Sequence, residues 1–178
     1  MGKLPPPPPG GASEGPAGQP PASLKPPAWL ASAGENLARS ARVTVSGSHE
    51  SGKYRAAHLT DGKVTYTDNN LRWVSDANLP ATVELAWEAP RTIGAVRIVT
   101  GWNRGGAVVD PIADFSLEYS DGGAWKAVPG GRAASNTQAE WSVTFAPLRA
   151  SRLRLTVTAT PSNVARLWEL EVYNPPRP

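Results

Sequence analysis

The stretch "RLWELEVYN", residues 166–174, alternates in the manner of a half-buried β-strand. One predicted face carries the apolar side chains of a core: Trp168, Leu170 and Val172. The other face carries Leu167, Glu169, Glu171 and Tyr173. Two carboxylates between large apolar side chains are unusual for a solvent face. A buried carboxylate needs a positive partner, because otherwise its pKa rises until the group is neutral.

Other short segments of the chain repeat this alternation. They are "ARVTVSGS" (41–48), "ATVELAWE" (81–88), "TIGAVRIVTG" (92–101), "DFSLEYSD" (114–121), "AWKAVPG" (124–130), "EWSVTFAP" (140–147) and "SRLRLTVTA" (151–159). Gly, Pro, Asn and Asp separate them, "SDGGAW" (120–125) has the Asp-Gly signal of a hairpin, and no segment has a helical period. The pattern predicts an all-β sandwich or jelly roll.

Five of the tryptophans lie on strand patterns, Trp73 in the short segment "RWVS" (72–75) and the others in the segments above, and we interpret them as core residues: Trp73, Trp87, Trp125, Trp141 and Trp168. Trp102 differs, because it follows a glycine and precedes two polar residues. It is either an exposed platform or a side chain folded back over the mouth of the barrel.

The first 33 residues are predicted to be a disordered linker, since Pro, Gly and small polar residues cannot offset their conformational entropy by burial. The proline run Pro5–Pro9 favours polyproline II, so a ligand for an SH3 or WW domain is the alternative. Residues 34–175 form the predicted domain. Deleting the linker is expected to leave the melting temperature almost unchanged.

Composition excludes several classes of function. The chain has no cysteine, which excludes disulfides and thiolate chemistry. The net charge is +3, and the scattered basic residues indicate no nucleic-acid partner. His49 and His58 lack acidic partners at a metal-binding spacing, and none of the common hydrolase or phosphate-loop motifs is present. We therefore predict a protein that is not an enzyme. The first residues are not expected to act as a signal peptide, because Met1 is followed by a proline run, and no apolar run is long enough to span a membrane.

The order of several short motifs resembles the F5/8 type C (discoidin) domain, and most closely the carbohydrate-binding modules of family 32. The motifs are "NLA" (36–38), "AAHLTDG" (56–62), "RWVS" (72–75), "ATVELAWEAPRTIGAVRIV" (81–99), "DFSLEYSDGGAWKAV" (114–128), "SRLRLTVT" (151–158) and "ARLWELEVY" (165–173). The resemblance implies an eight-stranded jelly-roll β-sandwich without catalytic activity. It also implies a monomeric, glycan-binding module attached to a carbohydrate-active catalytic domain in a secreted, periplasmic or cell-surface protein.

The resemblance further implies a structural Ca²⁺ site where the Asp-Gly loop meets the last strand. The matching side-chain ligands are Asp61 and Glu169. The matching carbonyl ligands are those of Thr60, Lys63 and Trp168, and Thr65 or Asp68 could add another oxygen. Calcium prefers six to eight hard oxygen ligands, which suits an irregular loop. Without a metal, Glu169 would instead pair with Arg72, and Asp61 would be an ordinary turn residue. With or without a metal at Glu169, Glu171 could pair with an arginine on a neighbouring strand, such as Arg152 or Arg154.

Sugar sites of the family lie in loops at one end of the sandwich. The matching loop here is "GWNRGGAVVD" (101–110), with Trp102 as a stacking platform, Asn103 and Arg104 as hydrogen-bond donors, and Asp110 as a further contact. Secondary candidates are Asp76, Asn78, Asn163 and Arg166. The chain departs from the galactose-binding pattern at Val74, where those modules have a histidine.

Three other functions remain open at this stage. The domain could mediate adhesion to proteins, or it could pack on a catalytic partner as an accessory unit without a ligand. Lipid binding would require several apolar loop tips beside basic residues, and only the loop of Trp102 and Arg104 qualifies, so no membrane partner is expected. Fold alone does not separate these functions.

Overall fold

The computed structural model, which describes residues 22–174, contains nine β-strands, six of which arise from the alternating segments. These are β1 (Arg42–Val45), β2 (Trp73–Val74), β3 (Ala81–Thr100), β4 (Trp102–Arg104), β5 (Ala107–Val109), β6 (Asp114–Ser120), β7 (Lys126–Ala133), β8 (Glu140–Ala159) and β9 (Arg166–Tyr173). Short 3₁₀ helices span Ala28–Ser32, Leu37–Ser40 and Ala56–Thr60. None of the helices within the described range is long and apolar enough to cross a membrane.

The long strands β3 and β8 pair antiparallel and connect the two layers of a sandwich. Their pairing shifts register between Ala86 and Arg91, so each strand has two halves. The first half of β3 pairs with β1, and the matching half of β8 pairs with β6, which pairs with β7. The second half of β3 pairs with β9, which pairs with β2. The predicted all-β jelly-roll sandwich is confirmed, although four of the predicted strands are joined into two.

Between the layers lies a core of fully buried aliphatic side chains. Its members include Val83, Leu85, Val96, Ile98, Leu153, Leu155, Leu170 and Val172. Each such side chain contributes about 1.5–3 kcal/mol when it leaves water. Trp73 and Trp87 belong to this core as predicted. Trp141 is only half-buried and packs edge-on against Phe115.

A β-bulge in β9 reverses the predicted faces at its start. Val99 pairs with Glu169, but the next residue, Thr100, pairs with Leu167, so Trp168 is the extra residue. Leu167 therefore joins the main core, while Trp168 lies on the outer face of the layer beside Val99. The prediction that Trp168 shares a face with Leu170 was wrong, because a shift of one residue moves a side chain to the opposite face.

The N-terminal part of the described chain packs on the outer face around this bulge. The Ala22 N–H donates to the Val108 carbonyl at 2.7 Å, and the Ala139 N–H donates to the Ser23 carbonyl at 3.0 Å. The Trp29 ring meets Tyr173 edge-on at 5.5 Å. The prediction that the disordered linker reaches residue 33 was therefore wrong, because Ala22, Ser23 and Trp29 of the segment 22–33 contact the domain. Residues 1–21 lie outside the described residues.

Candidate functional site

The segment predicted to be a ligand-binding loop folds as a β-hairpin. β4 and β5 pair through Trp102–Val109, Asn103–Val108 and Arg104–Ala107. The two residues between the strands, Gly105 and Gly106, have φ angles of 61° and 91°. Two consecutive positive φ angles are those of a type I′ turn, which glycine adopts without steric cost. The hairpin holds Trp102 and Arg104 in a regular strand, where the sequence suggested an irregular loop.

Trp102 is half-buried, and its indole already has partners within the protein. Its Nε1–H donates to Asp110 Oδ2 at 3.1 Å. The guanidinium carbons of Arg104 and Arg166 lie 5.8 Å and 5.5 Å from the ring centroid, within the range of cation–π attraction. A sugar that stacks on this ring would share it with a guanidinium group.

Asn103 connects the hairpin to the loop before β2. Its N–H donates to Asn69 Oδ1 and its Nδ2 donates to the Tyr66 carbonyl, at 2.8 Å and 2.9 Å. Its Oδ1 accepts from the Gly106 N–H, and Asn69 Nδ2 donates to its carbonyl. These bonds attach Asn103 to the loop before β2 and to the turn of its own hairpin, and its predicted role as a donor to the sugar stays a prediction.

Beside Trp102 lies a buried cluster of two arginines and one carboxylate. Asp110 and Arg166 are each only 1% exposed, and Arg72 is 4% exposed. Burial lowers the pKa of Arg166, although Asp110 opposes the shift. Burial, and then the neighbouring Arg166, lowers the pKa of Arg72 to about 9. Asp110 Oδ1 is buried and accepts no hydrogen bond from the residues that the structure describes.

The sequence did not place Arg72 in this cluster. Arg72 Nη1 donates to the Gly101 carbonyl at 2.8 Å and its Nε donates to the Asn69 carbonyl at 2.9 Å. Its guanidinium also lies over the Trp168 ring at 5.7 Å. These contacts occupy the side chain, so the alternative pairing of Arg72 with Glu169 is not the observed arrangement.

The secondary candidates lie in two neighbouring turns. The Ser75 N–H donates to the Ala165 carbonyl at 2.9 Å. This bond brings the turn that contains Asp76 and Asn78 next to the segment that contains Asn163 and Arg166. Asp76 Oδ1 accepts from the Asn78 N–H at 3.3 Å within its own turn. Asn163 is exposed with a φ of 56°, a conformation that asparagine tolerates. Of the secondary candidates, Arg166 is the one that contacts Trp102.

The predicted calcium ligands Asp61 and Glu169 lie together where the Asp-Gly turn meets β9. Glu169 is fully buried, and its Oε1 accepts from the N–H groups of Gly62 and Lys63 at 2.6 Å and 3.0 Å. Its Oε2 is buried without a hydrogen-bond partner in the described part of the chain. Asp61 Oδ1 accepts from the Lys63 N–H at 2.9 Å, and its Oδ2 lies 3.2 Å from His58 Nδ1.

Burial, and then the adjacent Asp61 carboxyl, raises the pKa of Glu169 to about 9. Two ionised carboxylates repel each other, and neither has a hydrogen to donate to the other. Asp61 and Glu169 can therefore lie side by side only when they share a proton or bind a cation. Residues 22–174 contain no cluster of three or more His, Cys, Asp or Glu side chains placed for a metal. The predicted Ca²⁺ ligands do not require such a cluster, because they are only two carboxylates together with backbone carbonyls. These hard oxygen donors, including the unpartnered Glu169 Oε2, fit Ca²⁺.

The other predicted ligands occupy the loop around this pair. Thr60 ends the 3₁₀ helix Ala56–Thr60. The Asp68 N–H donates to the Thr65 carbonyl at 3.0 Å, and Asp68 Oδ1 accepts from the Asn70 N–H at 2.8 Å. The Trp168 indole donates to the Asp68 carbonyl at 3.0 Å. The Asp68 carboxylate thus closes a turn of its own loop.

Glu171 pairs with an arginine of a neighbouring strand, as predicted, but the partner is Arg97 and neither of the suggested arginines, Arg152 and Arg154. Arg97 Nη1 donates to both carboxylate oxygens of Glu171 at 2.9 Å, and its Nε and Nη2 donate to Glu140 at 2.7 Å. Arg97 and Glu171 are direct neighbours across β3 and β9, whereas residues 152 and 154 lie in the half of β8 that belongs to the other layer. The hydroxyls of Tyr66 and Tyr173 donate to Glu140 and Glu171.

The comparison with protein families matches nearly the whole foldable chain. Residues 36–173 match the family described as Domain of unknown function (DUF7402). No curated protein matches the chain significantly.

Solved structures of carbohydrate-binding modules share the fold. Chitosan-binding module 1 from a chitosanase/glucanase of Paenibacillus sp. IK-5 is 20% identical with a TM-score of 0.66, over 79% of this chain and 100% of that one. The family 32 module of C. perfringens NanJ, solved with galactose, is 20% identical with a TM-score of 0.61, over 77% of this chain and 96% of that one. SpGH29 is 25% identical with a TM-score of 0.65 over 80% of this chain, which spans only 28% of SpGH29. The predicted resemblance to family 32 modules is confirmed at the level of the fold.

Proposed function

The chain belongs to the family described as Domain of unknown function (DUF7402), and from this premise we propose that it is a non-catalytic carbohydrate-binding module. Its proposed ligand site is the end of the sandwich that carries the β4–β5 hairpin. The observation that carries the proposal is the arrangement of Trp102, a partly exposed indole, against Arg104, Arg166 and Asp110.

The proposed mode of binding combines stacking with fixed polar groups. The C–H face of a pyranose excludes water from the Trp102 ring, while the Arg104 guanidinium donates to ring hydroxyls. The buried Asp110 orients the indole by accepting from its N–H. The hydrogen bonds of Arg72, which is buried, and of Asn103, which is partly buried, position these groups, so little ordering entropy is lost on binding. A shallow site of this kind binds a single sugar weakly, because association entropy is only just offset.

A weak module becomes effective when it is linked to another domain. We therefore propose that a catalytic domain lies in the same parent protein, that the parent is secreted, periplasmic or attached to the cell surface, and that the module is monomeric. In support, the similar module from Paenibacillus comes from a chitosanase/glucanase, and the matching part of SpGH29 is a minor part of that chain. Linkage raises the effective affinity without any new contact.

A glycan array tests the ligand site. The wild-type chain is expected to bind glycans, and Trp102→Ala is expected to abolish this binding in a protein that still folds, with a lower melting temperature because Asp110 loses the indole N–H. Trp29→Ala is a matched control, because it removes another half-buried indole at a distant place, against Tyr173. An array that remains silent with the wild type would favour an accessory or adhesion domain. Unchanged binding by Trp102→Ala would place the site elsewhere.

We further propose that Asp61 and Glu169 hold a structural Ca²⁺, together with backbone carbonyls of the Asp-Gly turn. The proposal is supported by the unpartnered, buried Glu169 Oε2 and by the adjacent carboxyl group of Asp61. The ion would neutralise both carboxylates and attach the turn to the last strand.

A further inference from the structure

The β4–β5 hairpin forms a two-stranded sheet of its own beside the large sheet of the sandwich. A two-stranded hairpin is only marginally stable by itself in water. Its geometry therefore depends on contacts with neighbouring segments. One of these neighbours is the loop that runs from the Asp-Gly turn to β2, residues 61–72, which we call the connecting loop.

Asn69 of the connecting loop pairs with β4 in the way that a neighbouring strand would. Its Oδ1 accepts from the Asn103 N–H at 2.8 Å, and its Nδ2 donates to the Asn103 carbonyl at 2.8 Å. In an antiparallel pair, both backbone groups of one residue point to the same side of the strand. The side-chain amide of Asn69 therefore occupies the edge of β4 that faces away from β5, and it satisfies a donor and an acceptor there.

Two further hydrogen bonds attach the connecting loop to the start of the hairpin. Asn103 Nδ2 donates to the Tyr66 carbonyl at 2.9 Å, and Arg72 Nη1 donates to the Gly101 carbonyl at 2.8 Å. The Asn69 carbonyl also accepts from Arg72 Nε at 2.9 Å, so the two attachments are linked to each other. A displacement of the loop would break these bonds together.

At its other end, the connecting loop is attached to β9. Glu169 Oε1 accepts from the N–H groups of Gly62 and Lys63 at 2.6 Å and 3.0 Å. The neighbouring indole of Trp168 donates to the Asp68 carbonyl at 3.0 Å, directly before the amide that pairs with β4. The loop therefore joins the carboxyl pair that we propose as a Ca²⁺ site to the hairpin that we propose as a glycan site.

We propose that the connecting loop couples these two sites, so that binding of Ca²⁺ at Asp61 and Glu169 orders the hairpin, with Asn69 as the positioning residue through which the loop acts on β4. This inference rests on the two sites proposed above, because it describes how one regulates the other. Neutralising the two carboxylates removes their repulsion and fixes the start of the loop. The hydrogen bonds of Asn69 then restrain β4.

An ordered hairpin favours glycan binding, because less conformational entropy is lost when the sugar associates. The coupling is reciprocal, since two ligands that stabilise the same arrangement raise each other's affinity by the same factor. A glycan array run with calcium is therefore expected to give stronger signals than the same array run with chelator.

Amide hydrogen exchange followed by NMR measures the order of the hairpin without any glycan. The reporters are the Asn103 N–H, which donates to Asn69, and the Gly106 N–H, which donates to Asn103 Oδ1 at 3.0 Å. In the wild-type chain, calcium is expected to slow the exchange of both amides about fivefold or more relative to chelator, the lower end of the usual coupling between linked sites.

Asn69→Ala separates the coupling from calcium binding itself. The variant is expected to keep the rise in melting temperature with calcium, because Asn69 is not one of the proposed ligands. It is expected to lose the effect of calcium on the exchange of the Gly106 amide. Asn69→Asp keeps an acceptor for the Asn103 N–H and loses the donor, so it is expected to retain only part of the effect.

Asn136→Ala is the matched control. Asn136 also joins two backbone segments through its side-chain amide, by donating to the Ile112 and Gln138 carbonyls at 2.8 Å and 3.0 Å. Its substitution is expected to leave the effect of calcium on the hairpin amides unchanged. If Asn69→Ala does not fold, the comparison uses Asn69→Asp, which must then show a smaller effect than the wild type.

The proposal is overturned if calcium stabilises the wild type without slowing the exchange of the two amides, or if Asn69→Ala keeps the full effect at Gly106. It is also overturned if calcium does not stabilise the wild type at all. A silent glycan array refutes the proposed function and leaves the ordering of the hairpin by calcium intact. Unchanged exchange together with a positive array refutes the coupling alone.

Discussion

At the scale of single residues, a buried network on the outer face of β3, β8 and β9 determines much of the electrostatics. Arg97 donates to both Glu140 and Glu171, so one guanidinium serves two carboxylates. With both carboxylates ionised, the trio would carry one excess negative charge away from water. Burial, and then repulsion from Glu171, raises the pKa of Glu140 from 4.5 to about 7.

The raised pKa of Glu140 predicts a loss of stability as the pH rises. The folded state holds a proton that the unfolded chain releases near pH 4.5, so this contribution is complete below that pH and is lost progressively towards about pH 7. The slope approaches about 1.4 kcal/mol per pH unit in the middle of this range. Glu140→Gln keeps an acceptor for Arg97 and removes the excess charge, and is therefore expected to flatten the profile.

Urea unfolding at a series of pH values measures this effect. Glu84→Gln is the control, because it alters a carboxylate in a partly exposed ion pair with Arg152 and is expected to leave the profile unchanged. If Glu140→Gln and the wild type have parallel profiles between pH 4.5 and 7, the proton is not held by Glu140.

At the scale of elements, the segment 22–33 acts as a cover for the outer face. It buries Ala22 beside Val108 and Trp168, and its Trp29 packs on Tyr173. The Ser23 carbonyl also accepts from the N–H groups at the start of β8. Without the segment, the apolar cluster around Trp168 would be in contact with water.

Two truncations test the role of this cover. Removing residues 1–21 is expected to leave the melting temperature within about a degree or two, as expected for a segment of low hydrophobicity. Removing residues 1–33 is expected to cost about 1–2 kcal/mol of apolar burial, or roughly 3–6 °C in calorimetric scans. Equal melting temperatures for both truncated proteins would show that the segment does not stabilise the domain.

At the scale of the whole molecule, the proposed calcium site connects distant parts of the chain. Glu169 accepts from the Gly62 N–H across 107 residues of sequence, so an ion here attaches an early loop to the last strand. An ion that binds only the folded state stabilises it by about 2.7 kcal/mol at a hundredfold excess over Kd.

We expect a chelator to lower the melting temperature of the wild type, and calcium to restore it. Asp61→Ala and Glu169→Gln are expected to abolish the difference between calcium-loaded and chelated protein. Asp121→Asn, which changes an exposed carboxylate near Lys126, is expected to preserve it. A melting curve that is indifferent to chelator, together with no metal in elemental analysis, would refute the site.

The sequence by itself determined the fold class and most of the core, because side-chain alternation is a local property of each strand. Val83, Leu85, Leu153 and Leu155 occupy the inward positions that the pattern predicts. The pairing of Asp61 with the last strand followed from the resemblance, and the two carboxyl groups do lie together. The glycine pair 105–106 also carried a local signal for the hairpin, although the sequence was interpreted as a loop there.

Only the tertiary structure decided which face the side chains at the bulge occupy and which carboxylates the arginines pair with. The bulge at Trp168 arises from the register between β9 and β3, which no single strand encodes, and it exchanges the faces of Leu167 and Trp168. Arg97 reaches Glu171 because those strands are adjacent, whereas Arg152 and Arg154 support Trp125 on the opposite layer. Such pairings depend on strand order and register, which are set by contacts between residues far apart in the chain.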